Sequence, residues 1–272
     1  MKKTSISLYV FQVFKCLIYV LLTANIFFFY QEESLAVKST FSQGISITDI
    51  IQGFAATLDT AAWVMLLFLF ELNTSEYLKR LDSLNNAFIA KNFIRIFSYG
   101  LICYAFFGYL LKYILLINIE PFIIDDVCSL VDQGYYLIDN LDEYPLMTAS
   151  NCLALSNNPL FVLSGQAILG TKSDWQAIQN LGLVDIINSG TWILVVMIIE
   201  LEVLFGSKLV TTRLKFLSLK ILKTILYLIL FSAAAFWGFK GDFLDFWDAF
   251  LWLVAFFFIE LNLLKIGQPQ TN

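Results

Sequence analysis

Three stretches of the 272-residue chain carry a tryptophan, seven apolar residues, a glutamate, a leucine and a polar residue in one order: Trp63 to Asn73, Trp192 to Glu202 and Trp252 to Asn262. Asp59, Asn188 and Asp248 stand four residues before the three tryptophans. The acids of the pattern, Glu71, Glu200 and Glu260, with Glu202 beside the second, sit in otherwise apolar runs. An ionised carboxylate facing lipid costs at least about 2.5–3.5 kcal/mol at the centre of a spanning helix, so such groups turn toward protein or water. There they can hold and pass protons or cations, and in a chain without histidine a relay must use Asp, Glu, Lys, Tyr and water. Three of the six tryptophans obey the spacing, which points to an internal repeat rather than accident.

The absence of histidine removes other chemistries. No HExxH zinc site, bis-histidine haem, Ser-His-Asp triad or Cys-His pair can be built. The sequence has no GxSxG elbow, phosphate-binding loop or CxxC pair. An intramembrane protease would need a GxGD-type site or a Ser-His dyad, and neither is present. The reading is therefore not an enzyme, with no cofactor, no metal site and no nucleic-acid partner.

The elements that position these acids must be membrane helices. The chain is 59% hydrophobic, 17% aromatic and only 14% charged, with net charge -5 and mean hydropathy +0.75. A soluble domain could not hide that much apolar surface, so the solvent for most of it is lipid. Runs of roughly 20 apolar residues predict six spans, at about 6–30, 53–74, 93–117, 184–206, 216–239 and 243–266. Lys2 and Lys3 before the first run resemble the opening of a signal peptide. However, the run is too long, Lys15 interrupts it and no A-x-A site follows, so a retained first helix is expected. Gln31 to Ile47 reads as a polar connection, and Glu76 to Lys91 as an amphipathic surface segment or an extension of the second span. Arg95 and Lys112 are placed to snorkel from the ends of the third span.

Residues 118–182 form the one sizeable polar insertion, between the third and fourth spans. It is strongly acidic, opposed by Lys172 alone, and reads as a solvated cap. It also holds Cys128 and Cys152, which can close a disulfide if this face is oxidising. Lys2, Lys3, Lys79, Arg80, Lys91, Lys208, Arg213, Lys215 and Lys265 fall on one side of the membrane, and Lys38, Lys172 and Lys240 on the other. Both termini are then cytoplasmic and the acidic loop outside, in a multi-pass protein of the plasma or inner membrane.

The odd-numbered spans repeat more loosely, through Lys15 with Tyr19, Gly100 with Tyr104 and Lys223 with Tyr227. Together the patterns predict an all-α polytopic membrane protein of three pseudo-repeated hairpins about a threefold axis normal to the membrane. Glu71, Glu200 and Glu260 would form an inner layer, and Asp59, Asn188 and Asp248 an outer one roughly 18 Å away. Lys15 is expected to partner Glu71, and Lys223 to partner Glu260. Gly100 offers no cation, which leaves Glu200 the least compensated acid and the readiest to take a proton. The three tryptophans read as belt or packing anchors, and Gly100, Gly108 and Ala233 to Ala235 as close helix contacts.

Two functions follow as expectations. The first is a small channel or secondary transporter moving protons or cations through the carboxylate layers. The second is a non-transporting subunit that scaffolds or senses within a larger assembly, docking through its acidic loop. The lipid bilayer is the expected surrounding, and both homo- and hetero-oligomers are compatible with the sequence.

Overall fold

Where apolar residues run on without proline, the backbone closes its own hydrogen bonds as helix, as a membrane interior requires. The computed structural model describes residues 2–40, 47–74, 85–155, 158–209 and 213–266, with side chains placed for 9–40, 49–72, 89–155, 158–201 and 218–256. The described helices are α1 (Lys2–Thr40), α2 (Ile47–Gly53), α3 (Ala55–Thr74), α4 (Asn85–Ile117), α5 (Lys172–Leu209), α6 (Arg213–Lys240) and α7 (Phe243–Ile266). Among the described residues, α1, α3, α4, α5 and α6 are long and apolar enough to cross a membrane. The protein is thus mostly helical, with several candidate spans. In α7 the placed side chains end at Phe256.

Two helix boundaries differ from the sequence expectation, each for a local reason. α1 continues through Gln31 to Thr40 because Glu33, only 3% exposed, finds partners on α3, while Ala36 and Val37 pack inside. α5 begins at Lys172 rather than near Val184. Its start is a capping box: the Thr171 hydroxyl and backbone N–H donate to Asp174 Oδ2 at 2.7 and 2.8 Å, and the Asp174 N–H returns to Thr171 Oγ1 at 3.3 Å. Of the amphipathic connection expected over Glu76 to Lys91, residues 75–84 lie outside the described residues, and the remainder opens α4.

Each long helix packs on its neighbours in chain order, and α7 closes against α1, so α1, α3, α4, α5, α6 and α7 make a ring. Asn25 Nδ2 on α1 donates to Asp248 Oδ1 on α7 at 2.7 Å and fastens the closure. Gly108 lets α4 approach the break between α2 and α3, where an added Cβ would lie 2.5 Å from the Ile51 carbonyl oxygen. Gly100 meets nothing within 4 Å, so the expectation that it marks a close helix contact is corrected.

The acidic insertion is a folded cap rather than a bare loop. Strands β1 (Ile119–Phe122), β2 (Tyr136–Leu137), β3 (Leu160–Leu163) and β4 (Ile168–Thr171) form one sheet in the order β1-β3-β4-β2. β1/β3 and β3/β4 are antiparallel and β2/β4 is parallel, with Glu120 opposite Val162 and Phe161 opposite Gly170. Cys128 and Cys152 are disulfide-bonded with Cα atoms 5.2 Å apart, each on a short 3-10 turn, beside a small core that includes Met147 and Leu169. Trp175 of α5, 1% exposed, donates its indole N–H to Phe161 O at 3.1 Å and ties the sheet to the helices.

Candidate functional site

At the sheet end of the ring, α1, α3, α4, α5, α6 and α7 surround a cavity of about 50 Å³. Asp59, Asn188 and Asp248 all line it, so the ring brings this sequence-derived layer together. The four-residue spacing has a direct physical meaning, since positions i and i+4 share a helix face. Trp63 Nε1 donates to Asp59 Oδ1 at 2.9 Å, and Trp252 makes the corresponding bond to Asp248. Asn188, four residues before Trp192, keeps its side-chain oxygen without a hydrogen-bond partner.

The same cavity gathers acids that the sequence pattern did not single out: Glu32 and Glu33 from α1, Asp185 from α5, Asp245 from α7 and Asp142 from the cap. Glu33 performs a structural task. The chain breaks between α2 and α3, and Glu33 accepts from Ala56 N at 2.7 Å, Thr57 N at 3.0 Å and Thr57 Oγ1 at 2.6 Å. A carboxylate so placed satisfies the orphan donors of a helix N-terminus and meets its positive pole. Asp185 and Asp245 did leave a trace in the sequence, each three residues before the polar member of its repeat, where the first copy has Ala56.

Lys112 sits among these acids. Its ammonium holds both carboxylate oxygens of Asp142, at 2.6 and 2.8 Å, with the two side chains 14% and 18% exposed. The expectation that Lys112 snorkels to the interface is thereby corrected: a carboxylate from the cap reaches down and pairs with it.

Trp63, Trp192 and Trp252 form the cavity floor. Trp63 lies 6.2 Å from Trp192 and 6.3 Å from Trp252 between ring centroids, and Phe256 lies 4.5 Å from Trp192, tilted by 41°. All three tryptophans are buried, so they are packing groups and not an interfacial belt. Beneath them lies a second cavity, about 120 Å³, bounded by Leu66, Phe70, Arg95, Tyr99, Val196 and Glu200. Trp63, Trp252 and Phe256 border both cavities and form the partition between them.

Glu71 and Glu200 do not share one chamber. Glu71 forms an ion pair with Lys15 and accepts from the Tyr19 hydroxyl at 3.3 Å, both on α1, and it is not among the residues lining the second cavity. Glu200 lines that cavity and accepts from the Tyr99 hydroxyl at 2.6 Å, with Arg95 on the same wall. The hydrogen-bond donor to Glu200 on α4 is thus Tyr99, five positions before Tyr104, and the basic residue on that wall is Arg95, five before Gly100. The spacing that fits is a basic residue followed four positions later by tyrosine: Lys15/Tyr19, Arg95/Tyr99 and Lys223/Tyr227. The side chains of Glu202 and Glu260 lie outside the described residues, and with them the expected pairing of Glu260 with Lys223.

Between α6 and α7, outside the spans, Asp242 is 4% exposed and faces the carboxyl and backbone N–H of Asp245. Burial pushes its carboxyl above the usual carboxylate range. A group whose folded pKa is raised contributes stability that is complete below its unfolded value, about 4, and is lost as pH rises through the folded one. Asp242→Asn, which keeps a good helix cap, is expected to flatten the decline in melting temperature from acid to neutral pH. Thermal unfolding of both proteins across that range is the measurement, and parallel curves would refute the assignment.

Among the described residues, no group of three Cys, Asp or Glu side chains is placed to hold a metal ion. The chain matches no protein-family model, no curated protein and no solved structure.

Proposed function

We propose that the chain is a small membrane channel or secondary transporter that moves protons or small cations, protons being the better fit, between the acid-lined cavity and the Glu200 pocket. One observation carries the reading: both cavities contain ionisable side chains and abut the same partition of Trp63, Trp252 and Phe256. Apolar constrictions between wetted compartments gate conduction by excluding water. The acids are engaged by indole, amide and hydroxyl donors, partners that suit proton exchange more than open coordination of a metal.

In this reading the protein has six spans, α7 being the sixth, built as three hairpins. The basic clusters put both termini in the cytoplasm and the disulfide-bonded cap outside the plasma or inner membrane. Asp59, Asn188 and Asp248 are then the outer station, and Glu200 with Tyr99 the inner one. Glu71 with Lys15 fixes helix register.

Purified protein in liposomes, given a pH step, tests it: Glu200→Gln is expected to cut proton flux by about tenfold or more, equivalent to at least ~1.4 kcal/mol on the barrier. Unchanged flux and pH dependence would refute the role of Glu200. The scaffold reading draws on Ile123 of the cap, an apolar side chain 94% exposed beside a cleft between residues 121–127 and 158–161. Absence of any flux above background, with a fixed partner co-purifying, would favour it.

A further inference from the structure

Three polar atoms at the border of the acid-lined cavity have no hydrogen-bond partner in the protein: Asp185 Oδ1, Asn188 Oδ1 and Trp237 Nε1. Asp185 is 8% exposed and Trp237 2%, so bulk solvent does not satisfy them. Leaving a buried polar atom unpaired costs about 1–3 kcal/mol. Their chemistry is specific: two acceptors and one donor, the Trp237 indole being set against the Asp185 carboxyl without completing a direct hydrogen bond to it. A molecule that satisfies all three must donate twice and accept once. A metal ion or ammonium cannot accept from the indole N–H, whereas water meets all three demands. The cavity has room, since one water needs roughly 10–15 Å³ of such space against the 50 Å³ present.

We propose that Asp185, Asn188 and Trp237 bind a water molecule through which a proton reaches the Asp185 carboxyl. This deepens the proton-transport reading and rests on it for its physiological meaning, but the site itself is a binding property that can be read without transport. Asp245 lines the same cavity, and Asp242 faces Asp245 at the start of α7. The other titratable and charged groups facing these acids are Lys112 and Tyr109 on α4, Asp142 on the cap and Glu32 on α1. Lys112 is already held by Asp142, so it does not neutralise the three acids by itself. In the uptake step a hydronium gives its proton to a carboxylate oxygen of Asp185. One O–H bond breaks and one forms, water remains on Asn188 and Trp237, and the net charge of the site rises by one.

The test is infrared difference spectroscopy of the full-length protein in lipid nanodiscs, titrated from acid to alkaline pH, in ordinary water and in water carrying heavy oxygen. Wild-type protein is expected to show a protonated-carboxyl stretch persisting at neutral pH, together with an internal-water O–H band that shifts with heavy oxygen. Asp185→Asn is expected to remove or displace the carboxyl band. Trp237→Phe, which keeps the packing, is expected to remove the water band and move the carboxyl band. Asp139→Asn, on the exposed face of the cap, is expected to change neither. A spectrum without a protonated carboxyl at neutral pH overturns the proposal, as do bands that survive both substitutions. If Asp185→Asn does not fold, Trp237→Phe decides alone. A protein with both bands but no proton flux keeps the site and loses the transport function, and flux without the bands does the reverse.

Discussion

Trp63→Ala is expected to open a leak. Trp63 borders both cavities and touches Trp192, Trp252 and Phe256, so removing its ring joins the two spaces across the partition. Proton flux in liposomes should rise about tenfold or more, since each ~1.4 kcal/mol removed from a barrier is worth that factor. The same change should cost stability, because deleting a buried tryptophan typically costs about 3–5 kcal/mol. It also strips Asp59 of the indole N–H that it accepts. Trp63→Phe separates the two effects: it keeps a ring in the partition and loses the hydrogen bond, so it should stay closed. A Trp63→Ala protein that folds and leaks no more than wild type would show that the tryptophans pack without gating.

Lys112→Met should be among the most destabilising single changes in the bundle. The pair with Asp142 is bidentate and largely shielded, and removing one partner of a buried pair typically costs about 3–5 kcal/mol, since the other charge is left uncompensated. Because Asp142 belongs to the cap, the variant should also loosen the sheet from the helices, seen as faster proteolysis between Ile119 and Thr171. Lys112→Met combined with Asp142→Leu should recover most of the loss, because apolar replacement of both members of a buried pair is often neutral or better. A melting temperature for Lys112→Met equal to wild type would mean that the pair contributes nothing.

These two residues differ in how visible they were before folding. Trp63 announced itself because its spacing to Asp59 and Glu71 recurs, and helical periodicity translates spacing into a shared face. Lys15 with Glu71 was legible by the same reasoning, counted as depth in the membrane. Lys112 was not: a lone lysine near the end of an apolar run looks like a snorkelling residue, and only the fold of the cap brings Asp142 to it. Arg95 and Tyr99 were legible in principle, since Lys15/Tyr19 and Lys223/Tyr227 have the same spacing, but Gly100 and Tyr104 offer a competing alignment of the second copy, five residues on. Glu33 was hidden for a different reason. Polar residues after an apolar run read as an exit from the membrane, and nothing local shows that the α3 N-terminus will supply their hydrogen bonds.

The cap is hidden as a sheet because its strands run to only two to four residues and take their register from one another. Its boundary with α5 was readable in the Thr171 to Asp174 capping box, which hydropathy alone overlooks.

The most direct measurement is proton flux through purified wild-type protein in liposomes under an imposed pH step, compared with protein-free liposomes and repeated for Trp63→Ala and Glu200→Gln. Two cavities in series across an aromatic partition require flux above the protein-free level in wild type, more in Trp63→Ala and less in Glu200→Gln. Flux indistinguishable from protein-free liposomes in all three folded proteins would contradict that path.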